Sequence, residues 1–455
     1  MARVREGRGP ALFAYLAVLA AGVVALFHFN FPGHLSWDSV SALHEGRFHV
    51  RETWNPAIYS WLLGALDRIS PNATAWVGLS ALLLFGSWAA LAALRPRASW
   101  LAPIVALGVV ALPQASIYPA IYWKDVLFAE TSVAGFVVLA LGVRDGMPRT
   151  PWLALLASAV LFAAAGLLRQ NGLIFAGAAA VSLTWVGWAE ARWRSAGRAG
   201  GWLVGVAVLT LAFSALLQPQ GPGAPDSAGG KGVRLLQTYD MIAGLAFQPG
   251  RKLPAIDRAE PQAAEILETR APKVYSPERI DTLSADPNVG GALGQVPTAQ
   301  IRAEWVRLVT QDTGLYLRAR LAAFRQVFAT PDIDSCLPIE VGVEGPPLLL
   351  KALKMTSRAD ARDDRLYNYT TWFLDTPAMS HVAYAALALV GMGLLLVRRR
   401  PADLMMAALL GGALTFTASF FVISIACDYR YLYALDIAAL TGLLYLALDP
   451  RLRRS

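Results

Sequence analysis

An aspartate lies in the first hydrophilic stretch after an apolar span, where a carboxylate could act as a general base. Asp38 stands in the run His34-Leu-Ser-Trp-Asp-Ser39. An ionised carboxylate that takes a proton from an acceptor hydroxyl typically contributes about 10²–10⁴-fold in rate. Aspartate is also a favoured helix N-cap, and Asp38 could cap a short helix that runs to about Arg47. The spacing is compatible with both roles.

Three cations could bind a phosphate on the same side as Asp38. Lys124 begins a later apolar span, Arg169 opens a tight turn, and Arg430 lies between the last two spans. A single charge at a span end often only snorkels to the interface. A charge kept near the membrane on the side that positive-inside bias depletes is by default a functional hypothesis. Supporting polar residues in the same stretches are Asn55, Asp125, Gln170, Asn171, Asp428 and Tyr431. We expect Asp125 and Asp428 to orient the cations.

The composition predicts the elements that must position these residues. The 455 residues are 56% hydrophobic and only 16% charged, with a mean hydropathy of +0.45. A soluble globular protein is less apolar than this, so the chain is an integral membrane protein. Windows of about 17 to 25 apolar residues, the length that crosses a bilayer core, recur along it. We predict about ten spans, at 11–29, 73–94, 99–117, 125–143, 151–168, 172–189, 202–217, 381–397, 402–423 and 431–448.

Arginines predict the orientation of the spans. They occupy every second connection: Arg3, Arg5 and Arg8, then Arg95 and Arg97, Arg144 and Arg149, Arg192, Arg194 and Arg198, Arg398 to Arg400, and Arg451, Arg453 and Arg454. By the positive-inside rule both termini are cytoplasmic. Arginines beside anionic headgroups also account for the net charge of +8 without nucleic acid as a partner. Frequent Arg and Ala are typical of a bacterium, which predicts the inner membrane.

The predicted fold is all-α, with three segments. Residues 1–217 form a membrane domain whose outer loop, 30–72, carries amphipathic helices. Residues 218–380 form a mainly helical extracytoplasmic segment, which begins with a Pro- and Gly-rich linker at 218–232. Residues 381–455 return to the membrane.

Other reactive residues leave alternatives open. Cys336 and Cys427 map to the outer side, where either a disulfide or two free thiols fit the sequence. His34, His44 and His49 share the first loop with Glu45 and could hold a metal, but their spacing matches no standard zinc pattern. We therefore favour surface or acceptor-contacting histidines and predict no metal site. Tyr429, Tyr431 and Tyr433 are interpreted as interfacial anchors in preference to sugar contacts.

The order of these motifs resembles the GT-C membrane glycosyltransferases. The resemblance rests on an acidic residue early in the first outer loop, an Asn55-Pro56 turn before an aromatic-rich helix, a Lys-Asp pair opening a later span and an Arg-Tyr pair opening the last span. It covers residues 10–215 and the final span. The branch that it resembles most is that of the protein O-mannosyltransferases and aminoarabinose transferases, although those commonly have an Asp-Glu pair where this chain has Asp38-Ser39.

The resemblance implies an inverting glycosyltransferase at the extracytoplasmic face. Asp38 would deprotonate an acceptor hydroxyl, and Lys124, Arg169 and Arg430 would hold the phosphate of a polyprenyl-phosphate sugar donor. No cofactor is required, and the acceptor, whether lipid, glycan or protein, is left open. The alternatives are a polymerase or ligase for lipid-linked glycans and a transporter of lipid-linked saccharide.

Overall fold

The computed structural model describes residues 9–51, 53, 55–95, 98–217 and 228–451. This part of the chain is almost entirely helical, and its β pairing is confined to isolated bridges. The predicted linker residues 218–227 lie outside it, as do Arg3, Arg5, Arg8, Arg97, Arg453 and Arg454.

The N-terminal helices include a pair that fills the first outer loop, namely α2 and α3. The bounds of the helices are α1 Pro10–Asn30, α2 Trp37–Phe48, α3 Ala57–Ile69, α4 Ala75–Leu91, α5 Leu101–Ala111, α6 Pro113–Ser116, α7 Lys124–Val143, α8 Trp152–Leu168, α9 Leu173–Val186 and α10 Trp188–Leu216.

The remaining helices vary in length and end with a return to long apolar elements. They are α11 Ala228–Phe247, α12 Pro254–Asp257, α13 Pro261–Thr269, α14 Ala271–Val274, α15 Asp281–Ala285, α16 Pro287–Gln295, α17 Thr298–Gln311, α18 Thr313–Phe328, α19 Pro347–Ala352, α20 Ala361–Thr371, α21 His381–Arg398, α22 Pro401–Ile423 and α23 Tyr433–Leu448. Short 3₁₀ turns lie at Pro71–Ala73, Ala92–Leu94, Tyr118–Ala120, Met147–Arg149, Asp334–Cys336, Pro377–Met379 and Tyr429–Leu432.

The fold is that of an all-α polytopic membrane protein, as predicted. Within the described ranges, 7 helical stretches are long and apolar enough to cross a membrane, or 8 if one bent pair counts as a span. Three of the ten predicted spans are not among these stretches, although α8 matches the predicted 151–168 to within one residue. Helices α8 and α9 have 17 and 14 residues and are shorter than those stretches. The predicted span 99–117 is not one straight helix.

Pro113 explains why the predicted span 99–117 is broken. Helix α5 ends at Ala111, Leu112 is extended with ψ 144°, and the chain turns by 78° into the short helices that follow. A proline cannot continue a helix, and it pushes the residue before it out of the helical region. Apolar composition predicted a span here because a window average does not register one proline.

The chain forms two compact units. The first comprises residues 1–224, 339–416 and 432–455, and the second comprises 225–338 and 417–431. Residues 339–416 thus belong to the first unit, and residues 417–431 belong to the second. The three predicted segments stay a prediction.

Buried ion pairs hold one end of the first unit together. The Arg95 and Arg398 guanidinium groups lie 2.8 and 2.7 Å from the Asp403 carboxylate. Tyr445 donates a hydrogen bond to the same carboxylate at 2.8 Å, and Arg400 pairs with Asp449 at 2.9 Å. Arg95 and Arg398 were expected beside lipid headgroups, but they are buried and join four helical elements.

Candidate active site

Asp38 lies in the first turn of α2, as its second residue. Ser36 occupies the N-cap position, so the prediction that Asp38 caps this helix is wrong by two residues. A carboxylate in a first helical turn is stabilised by the helix dipole. The side chain is half-buried.

Asn55 connects Asp38 to Lys124. The Asn55 side-chain nitrogen donates to the Asp38 backbone carbonyl at 3.3 Å, and its side-chain oxygen accepts from the Lys124 ammonium at 3.1 Å. Asn55 is only 1% exposed, so its amide is held in one orientation. The structure therefore brings together the predicted base, one predicted cation and one predicted supporting residue.

The neighbouring Asp125 pairs with Arg169. Asp125 lies in the first turn of α7, and its carboxylate is 2.7 Å from the Arg169 Nε. The Asp125 side chain is 2% exposed and that of Arg169 is 11% exposed. The Arg169 guanidinium also stands over the Phe416 ring, 5.9 Å from its centroid. Lys124 and Arg169 are thus fixed at the same end of α7 and α8.

The turn after Arg169 depends on a glycine. Gly172 donates to the Arg169 carbonyl at 2.9 Å. A Cβ atom at Gly172 would lie 2.7 Å from the Ala165 carbonyl and 2.8 Å from the Phe128 ring, so this tight turn accepts no larger residue. Gln170 is exposed and Asn171 half-buried in the same turn, where both stay predicted supporting residues.

Hydrogen bonds that the sequence analysis missed fasten the start of α2 to the chain before α7. The Trp123 indole donates to Ser36 Oγ at 3.0 Å, and Ser39 Oγ donates to the Tyr122 carbonyl at 2.5 Å. The Tyr59 hydroxyl donates to the same carbonyl. These partners lie 63 to 87 positions apart in the sequence, so no local pattern could have predicted them.

Arg430 belongs to the second unit, where it pairs with Asp428 at 3.0 Å. Its guanidinium lies over the Tyr431 ring at 5.8 Å, and this ring stacks on Phe420. Asp428 therefore contacts the cation that it was expected to orient. A shared role of Arg430 with Lys124 and Arg169 stays a prediction.

A disulfide and a buried arginine hold the loop that carries Arg430. Cys336 and Cys427 are bonded, with 5.1 Å between their Cα atoms, which decides the alternative that the sequence left open. Arg320, which is completely buried, pairs with Asp240 at 2.9 Å and donates to the Val422 and Ser424 carbonyls at 2.6 and 2.8 Å.

Among the histidines of the first loop, His49 is exposed as predicted, whereas His34 has a structural role. His34 is completely buried, so it is neither a surface nor an acceptor-contacting residue. Its Nδ1 accepts from the Gly342 N–H at 2.9 Å, and its Nε2 bonds to Asn30 at 3.2 Å. Burial, with nearby Arg358 and Arg362, lowers the pKa of His34 to about 3. His34 is therefore neutral at physiological pH.

The other first-loop histidines also have protein partners. His49 contacts the Arg68 guanidinium at 2.8 Å, and His44 packs on Phe48. Glu45 accepts from Ser60 at 2.7 Å. In the part of the chain that the structure describes, no three His, Cys, Asp or Glu side chains are grouped as a metal site requires.

Two of the three predicted tyrosine anchors are buried. Tyr429 and Tyr433 have no exposed surface, and Tyr433 donates to the Gln114 carbonyl at 2.8 Å. The anchor prediction is therefore wrong for both, because an anchor must reach the headgroups. Tyr431 is half-buried and stacks as described above.

The chain is a polytopic helical membrane protein in which Asp38 lies near Lys124 through Asn55, and Arg169 pairs with the neighbouring Asp125. No family model matches the chain, and no curated protein matches it. Among solved structures, it is similar to the archaeal oligosaccharyltransferase AglB from Archaeoglobus fulgidus in complex with an inhibitory peptide and a dolichol-phosphate. The TM-score is 0.41 at 14% identity, over 95% of this chain and 50% of that one. The apo form of the Archaeoglobus fulgidus oligosaccharyltransferase gives a TM-score of 0.39 at 12% identity, over 95% of this chain and 50% of that one.

The chain thus spans about half the length of the structures to which it is similar. They are oligosaccharyltransferases and not the mannosyl or aminoarabinose transferases whose motifs the sequence resembles.

Proposed function

We propose that this protein is a GT-C-type membrane glycosyltransferase that moves a sugar from a polyprenyl-phosphate donor to an acceptor hydroxyl. The observation that carries the proposal is the chain of contacts from Asp38 through Asn55 to Lys124, next to the Asp125–Arg169 pair. The contacts hold the backbone of the residue that carries the proposed base close to cations suited to a phosphate.

The proposed reaction is a single inverting displacement. The Asp38 carboxylate takes the proton of the acceptor hydroxyl as its oxygen bonds to the anomeric carbon of the sugar. The bond between that carbon and the phosphate oxygen breaks, and its electron pair leaves with polyprenyl phosphate. Because the leaving phosphate gains negative charge, Lys124 and Arg169 stabilise the transition state more than the ground state. Arg430 is the third proposed cation.

We place this site on the outer face of a bacterial inner membrane, with both termini cytoplasmic. The Cys336–Cys427 disulfide supports this orientation for the second unit, because disulfides persist in oxidising compartments. The buried cluster of Arg95, Arg398 and Asp403 supports it as well, since it gathers arginines from several predicted inner connections at one end of the helices.

Transfer of radiolabelled sugar from a purified polyprenyl-phosphate donor tests the proposal. Asp38→Asn should fold and bind donor but lower transfer by about 10²–10⁴-fold, because an amide cannot accept the proton. Asp145→Asn is the matched control, since Asp145 is 64% exposed and lies in a predicted inner connection. Transfer at the wild-type rate by Asp38→Asn would show that Asp38 is not the base.

A transporter of lipid-linked saccharide is the second candidate, and one observation favours it. Transporters often bind their substrates at interrupted helices, and the chain bends by 78° between α5 and the helices after Pro113. A transporter would move labelled lipid between the leaflets of a proteoliposome without breaking the glycosidic bond. The glycosyltransferase would release free polyprenyl phosphate.

A further inference from the structure

An exposed aromatic ring and a carboxylate form a pair directly beside Asp38. Trp37 is 51% exposed, and its indole N–H donates to Glu344 Oε1 at 3.1 Å. The Glu344 side chain is exposed too. Trp37 immediately precedes Asp38 in α2, and consecutive side chains of an α-helix point about 100° apart, so the Trp37 ring flanks the position of the Asp38 side chain without facing it. We propose that Trp37 and Glu344 bind a saccharide ring of the acceptor, which would make the acceptor a glycan; the acceptor role rests on the proposed function of Asp38.

The backbone around Glu344 holds this pair rigidly. Leu35 donates to the Gly342 carbonyl at 2.9 Å, and Glu344 donates to the Leu35 carbonyl at 2.8 Å. Gly342 has a φ of +86°, which other residues rarely adopt. A Cβ atom at Gly345 would lie 2.8 Å from Val40, so residues 342–345 lie directly against α2. Glu344 is thus brought to Trp37 across 307 positions of sequence.

The chemistry of the pair fits a sugar better than a lipid headgroup. The face of an indole ring carries negative charge density and attracts the C–H groups of a sugar, while a carboxylate accepts bonds from hydroxyls. A tryptophan that anchors a protein in a membrane presents its N–H to the wet interface. In this structure that N–H is bonded to an anion, which repels anionic lipids.

The charge of Glu344 also predicts which sugars bind. A carboxylate beside the ring favours neutral or amino sugars and disfavours acidic ones such as uronic acids. Because the acceptor hydroxyl must reach Asp38, the ring that carries it, or the ring next to it, would lie on Trp37. The subsite therefore selects the acceptor and takes no part in bond breaking.

Binding to the Asp38→Asn protein in detergent tests the proposal without relying on transfer. The probe is an array of neutral, amino and acidic saccharides, followed by titration of the glycan that binds best. We expect neutral or amino glycans to bind, and Trp37→Ala to weaken binding by roughly tenfold. Glu344→Gln keeps an acceptor for the indole N–H but removes the negative charge. This variant should therefore bind acidic glycans as well as it binds neutral ones. Trp372→Ala, at a tryptophan that is 75% exposed, is the matched control and should bind as the parent does.

The possible outcomes separate the subsite from the proposed reaction. Absence of glycan binding, or equal glycan binding by Trp37→Ala and Trp372→Ala, would overturn the proposed subsite. If the wild type then transferred sugar to a peptide or a lipid, the proposed glycosyltransferase reaction would still hold. Glycan binding that depends on Trp37, in a protein that transfers nothing, would keep the subsite and reject the reaction.

Discussion

Asn55 shows how one residue can couple the proposed base to the proposed phosphate site. The nitrogen of its buried side-chain amide donates to the Asp38 backbone carbonyl, and the oxygen of that amide accepts from the Lys124 ammonium. The sequence marked Asn55 only as a supporting residue of a turn. The tertiary structure shows that Asn55 connects the first outer loop to the start of α7.

We expect Asn55→Ala to lower transfer and to weaken donor binding together. A hydrogen bond to a charged group contributes roughly 1.5–3 kcal/mol, which corresponds to a loss of about ten- to hundredfold. Steady-state kinetics and donor titration of the purified variant measure both effects. Asn368→Ala, at an exposed asparagine, is the control. A variant whose kcat and donor KM both equal those of the wild type would remove Asn55 from the site.

The lowered pKa of His34 predicts that the folded protein loses stability in acid. Its pKa is about 3 in the folded protein and about 6.5 when unfolded. The unfolded state therefore binds the proton more readily between these values, so stability falls as pH drops below about 6.5. The loss is roughly 1.4 kcal/mol for each pH unit.

Thermal unfolding at pH 7 and pH 5 in detergent measures this contribution. His34→Gln keeps an acceptor for Gly342 but does not titrate, so its Tm should fall less between the two pH values than that of the wild type. His49→Gln, at an exposed residue, should behave as the wild type. An identical Tm decrease in His34→Gln and wild type would contradict the assignment.

At the scale of elements, α2 and α3 pack backbone to backbone at a pair of glycines. A Cβ atom at Gly46 would collide with the Ser60 carbonyl and lie 2.7 Å from the Gly64 nitrogen. Backbone atoms cannot move aside as a flexible side chain can. The contact sets the distance between α2, which carries Asp38, and α3, which follows Asn55.

Gly46→Ala should therefore destabilise the first outer loop and lower transfer. Overpacking of this kind costs about 1–3 kcal/mol, and rigid backbone neighbours favour the upper end. Gly177→Ala in α9 is the matched control, because a Cβ there has nothing within 4 Å. Protease resistance of the loop and Tm report the effect. Equal stability of the two variants would show that the helices do not approach this closely.

At the scale of the whole molecule, the disulfide closes a loop between the two parts of the second unit. Cys336 and Cys427 are separated by 91 positions. Cross-linking over such a distance stabilises a fold by about 4–5 kcal/mol in the chain-entropy model. It also fixes the loop that carries Asp428 and Arg430.

The double variant Cys336→Ser, Cys427→Ser should therefore unfold at a lower temperature than the oxidised wild type. Reduced wild type is the control and should match the double variant. Thiol titration of the unreduced, denatured wild type should find no free cysteine. Two titratable thiols in that sample would contradict the bond.

Sequence reasoning succeeded where the signal is local. Apolar windows are properties of single segments, so they predicted a helical membrane protein and most of its spans. The bend at Pro113 and the shortness of α9 were missed, because average hydropathy is insensitive to one residue and to exact helix ends. Asp125 and Asp428 were expected beside cations, and each pairs with one.

The sequence by itself determined the class of protein, the membrane helices and the residues able to do chemistry, since composition and periodicity act over short distances. Only the tertiary structure decided which of those residues meet. The link from Asp38 through Asn55 to Lys124, the burial of His34, the disulfide and the Trp37–Glu344 pair join positions far apart in the chain. Such contacts depend on how helices pack, and packing depends on shape complementarity that no single segment carries.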